Sequence, residues 1–238
     1  MTVILEHLLA VYVIVLAPWL GCVIYQKAKR RIEAGDPRAK VRLYREIVIE
    51  QIITTVAVLG LWWYGGIAGN SIGLNAPRSW TWNSVALVLL CGYLIWSGVR
   101  LRAKAEKIRR QFNASVGVLF PDSLEERRWF GGVSLGAGIS EELVFRGFLM
   151  YYLSLYIPRI NTVEMVLVTS LFFGFAHIYQ GWKRAIAAGV SGLILAVAYV
   201  LSGSLLLPMA LHAVGDYRIL LILPPQAPTQ TLAAEGAA

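Results

Sequence analysis

The chain has 238 residues, of which 57% are hydrophobic and only 15% are charged. Its mean hydropathy of +0.61 is too high for a soluble domain of this length, which needs more polar surface to cover its core. Composition therefore excludes an ordinary soluble protein and predicts an all-α membrane protein. The net charge of +8 is also compatible with nucleic-acid binding, but the positions of the basic residues favour a different explanation.

Seven apolar blocks follow one another along the chain, and each is close to or above the roughly 17–25 residues that cross a bilayer as a helix. They are Val3–Tyr25, Ile47–Ala68, Val85–Leu101, Trp129–Ile157, Thr162–Ile178, Ala185–Leu201 and Leu205–Leu223. The fourth is the longest, and it is either one tilted helix with an extension or a spanning helix followed by a re-entrant piece. The sequence predicts a polytopic membrane helix bundle with about seven (six to eight) transmembrane helices.

Basic residues alternate between the two ends of these blocks. Lysines and arginines cluster in residues 26–46 and 100–128, and Lys183–Arg184 follows the fifth block, whereas the intervening connections hold little more than Arg78 and Arg159. By the positive-inside rule this pattern places the N-terminus outside and the C-terminus in the cytoplasm, with the plasma (inner) membrane as the expected location. We expect the basic loops to contact membrane lipids and expect no nucleic-acid partner.

The chain divides by composition into three parts. Residues 1–70 are N-terminal transmembrane helices with a basic cytoplasmic loop, and the first block is expected to be a retained anchor because no basic leader or small-residue cleavage site surrounds it. Residues 71–223 form the core, and residues 224–238 form a tail rich in proline and alanine that is expected to be disordered.

Ionisable groups inside a membrane span are energetically unfavourable, so each one requires an explanation. The fourth block contains Glu141, Glu142 and Arg146. On a helix Glu142 and Arg146 are four residues apart on one face, which predicts an ion pair that supports the site. Glu141 lies about 100° further round and has no local partner. An isolated carboxylate in an apolar cavity suits a general base, although a purely structural ion-pair network is the alternative.

Two histidines occur in the same half of the chain. His177 ends the fifth block, and His212 lies four residues before Asp216 in the seventh, so that those two side chains share a helical face. Counting along each helix places Glu141 and His212 at similar depth and His177 nearer the cytoplasm. The sequence therefore predicts that these groups meet in one cavity.

The motifs Glu141-Glu-Leu-Val-Phe-Arg146, Phe173-x-x-x-His177 and His212-x-x-x-Asp216, in this order on successive helices, resemble the CPBP family of intramembrane proteases. That family joins the type II CAAX prenyl endopeptidases to bacterial enzymes of the Abi group, which are linked with bacteriocin processing and immunity. The resemblance covers roughly Ser71–Ile222.

The resemblance implies that Glu141 activates the attacking water with help from His177. It implies that His212 and the residue at position 216 stabilise the oxyanion. The family more often has Asn at that position, and an ionised Asp216 would repel an oxyanion. Asp216 must therefore be protonated, be paired or have another role. The implied substrate is a membrane-associated protein or peptide, and nothing in the sequence indicates recognition of a prenyl group.

Several alternatives stay open at this stage. No cofactor is favoured, but Glu141, His177, His212 and Asp216 are ligands that zinc accepts, so a zinc-dependent protease is one alternative. Gly189-Val-Ser-Gly192 together with His212 resembles a motif of rhomboid serine proteases, although such glycines more often mark close helix packing. A non-catalytic membrane immunity or scaffold protein of the same fold is the other alternative.

Overall fold

The computed structural model describes residues 2–113 and 119–225, without the side chains of residues 111–113. It contains seven helical rods, numbered here α1 to α7. They are α1 (Thr2–Val11, Tyr12–Leu16 and Ala17–Glu33), α2 (Ala39–Gly65), α3 (Trp80–Leu101, continued by Arg102–Lys104 and Ala105–Asn113), α4 (Leu124–Glu142, Leu143–Leu149 and Met150–Tyr156), α5 (Thr162–Ala176), α6 (Trp182–Ser202) and α7 (Leu206–Ile222). Two short 3₁₀ turns, Gly69–Ile72 and Ile178–Gln180, lie in connections.

The prediction of an all-α membrane helix bundle is confirmed, and the described residues contain no strand. Four helices are long and apolar enough to cross a membrane by length and composition, namely Thr2–Glu33, Ala39–Gly65, Trp80–Arg110 and Trp182–Ser202. Helix α5 is apolar but shorter. Each predicted apolar block corresponds to one rod. The predicted disordered tail lies outside the described residues, except for Pro224 and Pro225.

Short polar motifs define where the helices begin and end. Capping boxes start α4 at Ser123 and Glu126, and α5 at Asn161 and Glu164, so that side chains satisfy backbone N–H groups that have no partner inside the helix. Helix α6 ends at Gly203, whose φ of 67° is in the left-handed region that glycine adopts without strain. These boundaries fix the register of the helices that carry the candidate site.

Helix α4 is the centre of the bundle. It packs against α2 and α7, while α7 also packs against α3, and α5 pairs with α6. Two glycines permit close approach of helix backbones: a Cβ at Gly138 would lie 2.7 Å from the carbonyl oxygen of Met209 on α7, and one at Gly174 would lie 2.8 Å from that of Ala185 on α6. The core around α4 is therefore built on backbone contact, which holds side chains from separate helices in fixed positions.

Helix α4 is continuous from Leu124 to Tyr156, but its middle changes geometry. Residues Leu143–Leu149 form a π-helical segment in which every residue is buried. The fourth apolar block is thus one long helix rather than a span followed by a re-entrant piece. Segments of π-helix inside α-helices frequently mark functional sites, and this one begins directly after Glu142.

Candidate active site

A fully buried ion pair lies beneath the candidate site. Arg146 Nη1 donates to Glu142 Oε1 at 3.1 Å, and both side chains are 0% exposed. Arg146 Nη2 donates to the backbone oxygen of Gly192 at 2.6 Å, and the guanidinium lies 4.7 Å from the ring centroid of Phe173. Two acceptors and an aromatic face thus surround a charge that would otherwise be very unfavourable in this environment.

Gly192 makes this arrangement sterically feasible. A Cβ at this position would lie 3.0 Å from Phe173 Cδ1 and 3.2 Å from Arg146 Nη2. Neighbouring Gly189 lies against α5, where a Cβ would meet Ser170 O at 3.5 Å. The glycines of the Gly189–Gly192 motif therefore serve close helix packing.

Glu142 also orients His212. The Nδ1 atom of His212 lies 2.8 Å from Glu142 Oε1, the same oxygen that accepts from Arg146. A carboxylate paired with a guanidinium is an acceptor, so the network assigns the proton to Nδ1 of His212. The Nε2 atom of His212 is then turned towards Glu141 and Asp216.

Glu141 lies between two imidazoles from different helices. Its Oε2 is 3.9 Å from Nε2 of His177 and 3.9 Å from Nε2 of His212. It has no hydrogen-bond partner among the described residues, although it is shielded from solvent. The separations are too long for direct hydrogen bonds but are spanned readily by one bridging water or substrate atom.

The orientation of His177 follows from its position at the end of α5. Its Nδ1 lies 2.8 Å from the carbonyl oxygen of Phe173. A carbonyl only accepts, so Nδ1 carries the proton, and in the neutral ring Nε2 is a free acceptor directed towards Glu141. The ring also packs against Phe173, with centroids 4.8 Å apart. His177 is therefore oriented as a proton acceptor rather than as a donor.

Asp216 lies at the more exposed edge of the group. Its Oδ2 is 3.7 Å from Nε2 of His212, and its side chain is 47% exposed. All four residues predicted as catalytic (Glu141, His177, His212 and Asp216) are thus brought together from α4, the end of α5, and α7. Glu142 and Arg146 lie beneath them, as the spacing of four predicts.

Other residues weighed in the sequence lie elsewhere. His7 Nδ1 lies 2.7 Å from the hydroxyl of Tyr152, away from these four residues. Ser191 is exposed on α6, whereas His212 bonds to Glu142, which gives no support to a serine mechanism. Arg218 packs against Gly98 of α3, where a Cβ would lie 2.8 Å from its Cγ.

A cavity of about 240 Å³ reaches the site from the side of α1 and α2. Its lining includes Glu141 and His177 from the site. The sequence analysis missed the contribution of the first two helices, which supply Tyr12, Tyr25, Glu46, Glu50 and Gln51 to the lining. One signal was available: Glu50 and Gln51 are polar residues inside the second apolar block, and buried polar groups in a span call for an explanation.

The possible zinc ligands lie apart from one another. Glu141 Oε2 is 3.9 Å from each Nε2 atom, and Asp216 Oδ2 is 3.7 Å from Nε2 of His212. Within residues 2–113 and 119–225 no three His, Cys, Asp or Glu side chains are arranged so that they could hold a metal ion. Zinc binding would therefore require these side chains to move, and we derive no chemical step through a metal.

The comparison with protein families gives one match. The model of the family described as type II CAAX prenyl endopeptidase Rce1-like matches residues 125–218. The match covers less than half of the chain, and it makes this segment similar to the CPBP and CAAX proteases. The resemblance drawn from the three motifs is confirmed, and all six candidate residues lie within the match. No curated protein and no solved structure matches the chain.

The match supports a peptidase of the CAAX protease type, and the apolar helices support a protein that is integral to the membrane. The matched segment covers α4 to α6 and most of α7, while α1, α2 and α3 lie outside it. The wall that the first two helices add to the cavity is thus not described by the family match.

Proposed function

We propose that the protein is an intramembrane endopeptidase that hydrolyses a peptide bond of a membrane-associated protein or peptide with a water activated by Glu141. The single observation that carries this proposal is the position of Glu141. Its side chain is 29% exposed, but its Oε2 is shielded, lacks a hydrogen-bond partner among the described residues and faces two imidazole nitrogens. A structural ion pair would place Glu141 in direct contact with a cation, whereas a general base needs an acceptor oxygen that is free to reach the proton of a water.

In the proposed reaction a water lies between Glu141 Oε2 and His177 Nε2. Glu141 removes a proton from this water as its oxygen attacks the carbonyl carbon of the scissile bond. His177 accepts a hydrogen bond from the same water and directs its lone pair. The proton then passes from Glu141 to the amide nitrogen, the C–N bond breaks, and a carboxylic acid and an amine leave the cavity.

His212 stabilises the negative charge that develops on the carbonyl oxygen. Its Nδ1 is held by Glu142, so its Nε2 is directed at the position where the oxyanion forms and donates to it when the ring is an imidazolium. Asp216, 3.7 Å from the same nitrogen, balances the imidazolium or, when protonated, donates a second hydrogen bond. In either role Asp216 does not repel the oxyanion, because its negative charge is paired with the imidazolium or removed by protonation.

The proposed orientation has the N-terminus outside and the C-terminus in the cytoplasm. The basic connections that follow α1 and α3 then contact anionic lipid at the cytoplasmic face. The cavity reaches Tyr25, Leu43 and Leu119, which border these connections, so the proposed site opens to the cytoplasmic side.

The test is substrate trapping in native membranes with wild type and Glu141→Ala. We expect a small set of membrane proteins to accumulate uncut with the variant and to appear as two fragments with wild type. Identical protein and fragment profiles would overturn the proposed peptidase and favour a non-catalytic scaffold of the same fold.

A second experiment addresses zinc. The purified protein is expected to lack stoichiometric zinc and to keep its peptidase activity after exhaustive chelation. One equivalent of zinc that is lost together with activity, and restores it when added back, would replace this mechanism with the zinc-dependent one.

A further inference from the structure

The wall that α2 contributes to the cavity is rich in hydrogen-bond acceptors. Glu46, Glu50 and Gln51 all line it. Glu50 Oε1 accepts from Tyr12 and from Thr54, both at 2.9 Å, and its second oxygen takes no part in these bonds. These bonds leave Glu46 and the second oxygen of Glu50 without a hydrogen-bond partner among the described residues.

Gln51 is the buried member of this wall. It is 5% exposed, and its Nε2 donates to the carbonyl oxygen of Val133 at 3.2 Å. Its Oε1 has no hydrogen-bond partner among the described residues. This oxygen lies against Gly136 of α4, where a Cβ would overlap it. Gln51 therefore joins α2 to α4, and the carboxylates of Glu46 and Glu50 are the acceptors that α2 offers to the cavity.

The charge of the cavity differs in sign from that of the whole chain. Its charged lining consists of Glu46, Glu50 and Glu141, and His177 is the only basic side chain among the described residues that line it. The chain as a whole has a net charge of +8. The acidic cavity is therefore a local feature, and its field attracts positive charge from the surroundings.

We propose that Glu46 and Glu50 bind a basic side chain of the substrate, a lysine or arginine close to the scissile bond, and so determine specificity. This inference rests on the proposed function, because the bound side chain belongs to the peptide that Glu141 cleaves. An ammonium or guanidinium group carries only donors, which matches a wall of acceptors, and charge-assisted hydrogen bonds are the strong ones.

The apolar part of the cavity accommodates the rest of such a side chain. Leu20, Ile24 and Val144 also line the cavity and are suited to pack against the methylene stem of a lysine or arginine. Membrane proteins carry an excess of these residues on the cytoplasmic flanks of their spans. A substrate segment that leaves the membrane beside the basic connections of this chain would present the required charge there.

Binding is tested with three blocked peptides of alanine and leucine that differ only in a central Lys, Gln or Glu. Each is titrated into Glu141→Gln protein in phosphatidylcholine nanodiscs, where the lipid has no net charge, and binding is followed by fluorescence anisotropy. We expect the Lys peptide to bind about tenfold or more tightly than the Gln peptide, as is typical of a charge-assisted hydrogen bond. The Glu peptide should bind most weakly.

The comparison variants carry Glu46→Gln and Glu50→Gln together, or Glu33→Gln and Glu106→Gln together as a control with the same change in net charge. Only the first pair lines the cavity. The preference for Lys should disappear in the cavity variant and persist in the control. Gln at position 50 still accepts from Tyr12 and Thr54, so the fold should be retained. Glu46→Gln alone, which disturbs no described hydrogen bond, repeats the test with a smaller expected loss.

Equal binding of the Lys and Gln peptides, no binding of the Lys peptide, or a preference that survives in the cavity variant would each overturn the proposal. Cleavage of the same peptides by protein with Glu141 intact is a separate measurement, read by mass spectrometry. Charge preference without any Glu141-dependent cleavage would uphold the binding wall and count against the peptidase. Cleavage without charge preference would uphold the peptidase and count against the binding wall.

Discussion

The two halves of the bundle hold their carboxylates in different ways. In α4 to α7 the buried carboxylate of Glu142 pairs with both Arg146 and His212. In α1 to α3 the carboxylates of Glu6 and Glu50 accept from tyrosine hydroxyls: Tyr156 to Glu6 at 2.5 Å, and Tyr12 to Glu50 at 2.9 Å. The carboxylate of Glu142 is therefore fixed by charged partners, whereas those of Glu6 and Glu50 are held by neutral donors.

The halves also differ in how they meet the membrane. Three of the four helices that qualify as spans by length and composition are α1, α2 and α3. Of the helices that supply site residues, α5 is short and α4 carries charged residues in its middle. Chemistry is thus concentrated where helices depart from ideal spans, while the N-terminal half provides the apolar surround and one wall of the cavity. The predictions below test this division, from the largest expected effect to the smallest.

The histidines give the largest contrast. His177→Ala should lower turnover by about 10²–10⁴-fold, because it removes the group that directs the attacking water, while the melting temperature stays close to that of wild type. His7→Ala, in the N-terminal half, should leave turnover unchanged because His7 bonds only to Tyr152 in the described structure. Cleavage of a reporter peptide and thermal melting in detergent measure both. Similar losses of turnover in the two variants would contradict the assignment of His177 to the site and of His7 to a place outside it.

The buried carboxylates should differ in their effect on stability. Glu142→Gln leaves the charge of Arg146 buried without its counter-ion, which is expected to cost about 3–5 kcal/mol. Glu6→Gln weakens one hydrogen bond from Tyr156 and should cost about 1 kcal/mol. Thermal and denaturant unfolding in the same detergent compare them. A smaller loss for Glu142→Gln than for Glu6→Gln would contradict the assignment of Arg146 and Glu142 as the support of the site.

Two helical glycines, one from each half, differ in the space that a Cβ would meet. Gly138→Ala places a Cβ 2.7 Å from Met209 O and 2.8 Å from Ala213 N, so α4 and α7 must separate, at about 1–3 kcal/mol. Gly60→Ala in α2 meets no atom within 4 Å and should be neutral or stabilising by up to about 1 kcal/mol. The unfolding midpoints of the two variants measure these changes in stability. Equal midpoints would show that the close approach of α4 and α7 is not required for stability.

Asp216 should give the smallest change in the conservative variant. Asp216→Asn supplies a neutral donor at the same position, so its effect on turnover should stay well below the roughly 10²–10³-fold that loss of an oxyanion donor causes. Asp216→Ala removes every polar atom and should show that full loss. Steady-state kinetics on the reporter peptide compare them. Equal, severe losses would mean that the negative charge of Asp216 itself is required.

The sequence alone predicted the C-terminal half well for a physical reason. Ionisable residues in apolar helices are so unfavourable that Glu141, Glu142 and Arg146 marked the site without any structure. The spacing of four also predicted the Glu142–Arg146 pair, because it depends only on the helix repeat. The family resemblance then supplied the roles of His177, His212 and Asp216, which no local pattern could assign.

Features that depend on contacts between helices could not be predicted from the sequence. The bond from Arg146 to the backbone of Gly192 joins residues that are distant in sequence, and hydropathy does not indicate the π-helical segment Leu143–Leu149. The role of Glu50 in the cavity depends on how α1 packs against α2 through Tyr12. The position of Glu50 inside an apolar block indicated that this residue has a role, but it did not predict the cavity that Glu50 lines.

The central claim is that adjacent glutamates on α4 have opposite roles, and one experiment tests it directly. Glu141→Gln and Glu142→Gln are each assayed for reporter cleavage and for melting temperature in the same detergent. Glu141→Gln should melt at or above the wild-type temperature, because an unpaired shielded carboxylate is itself unfavourable, yet lose about 10²–10⁴-fold or more in turnover. Near wild-type cleavage by Glu141→Gln, or instability equal to that of Glu142→Gln, would contradict the account.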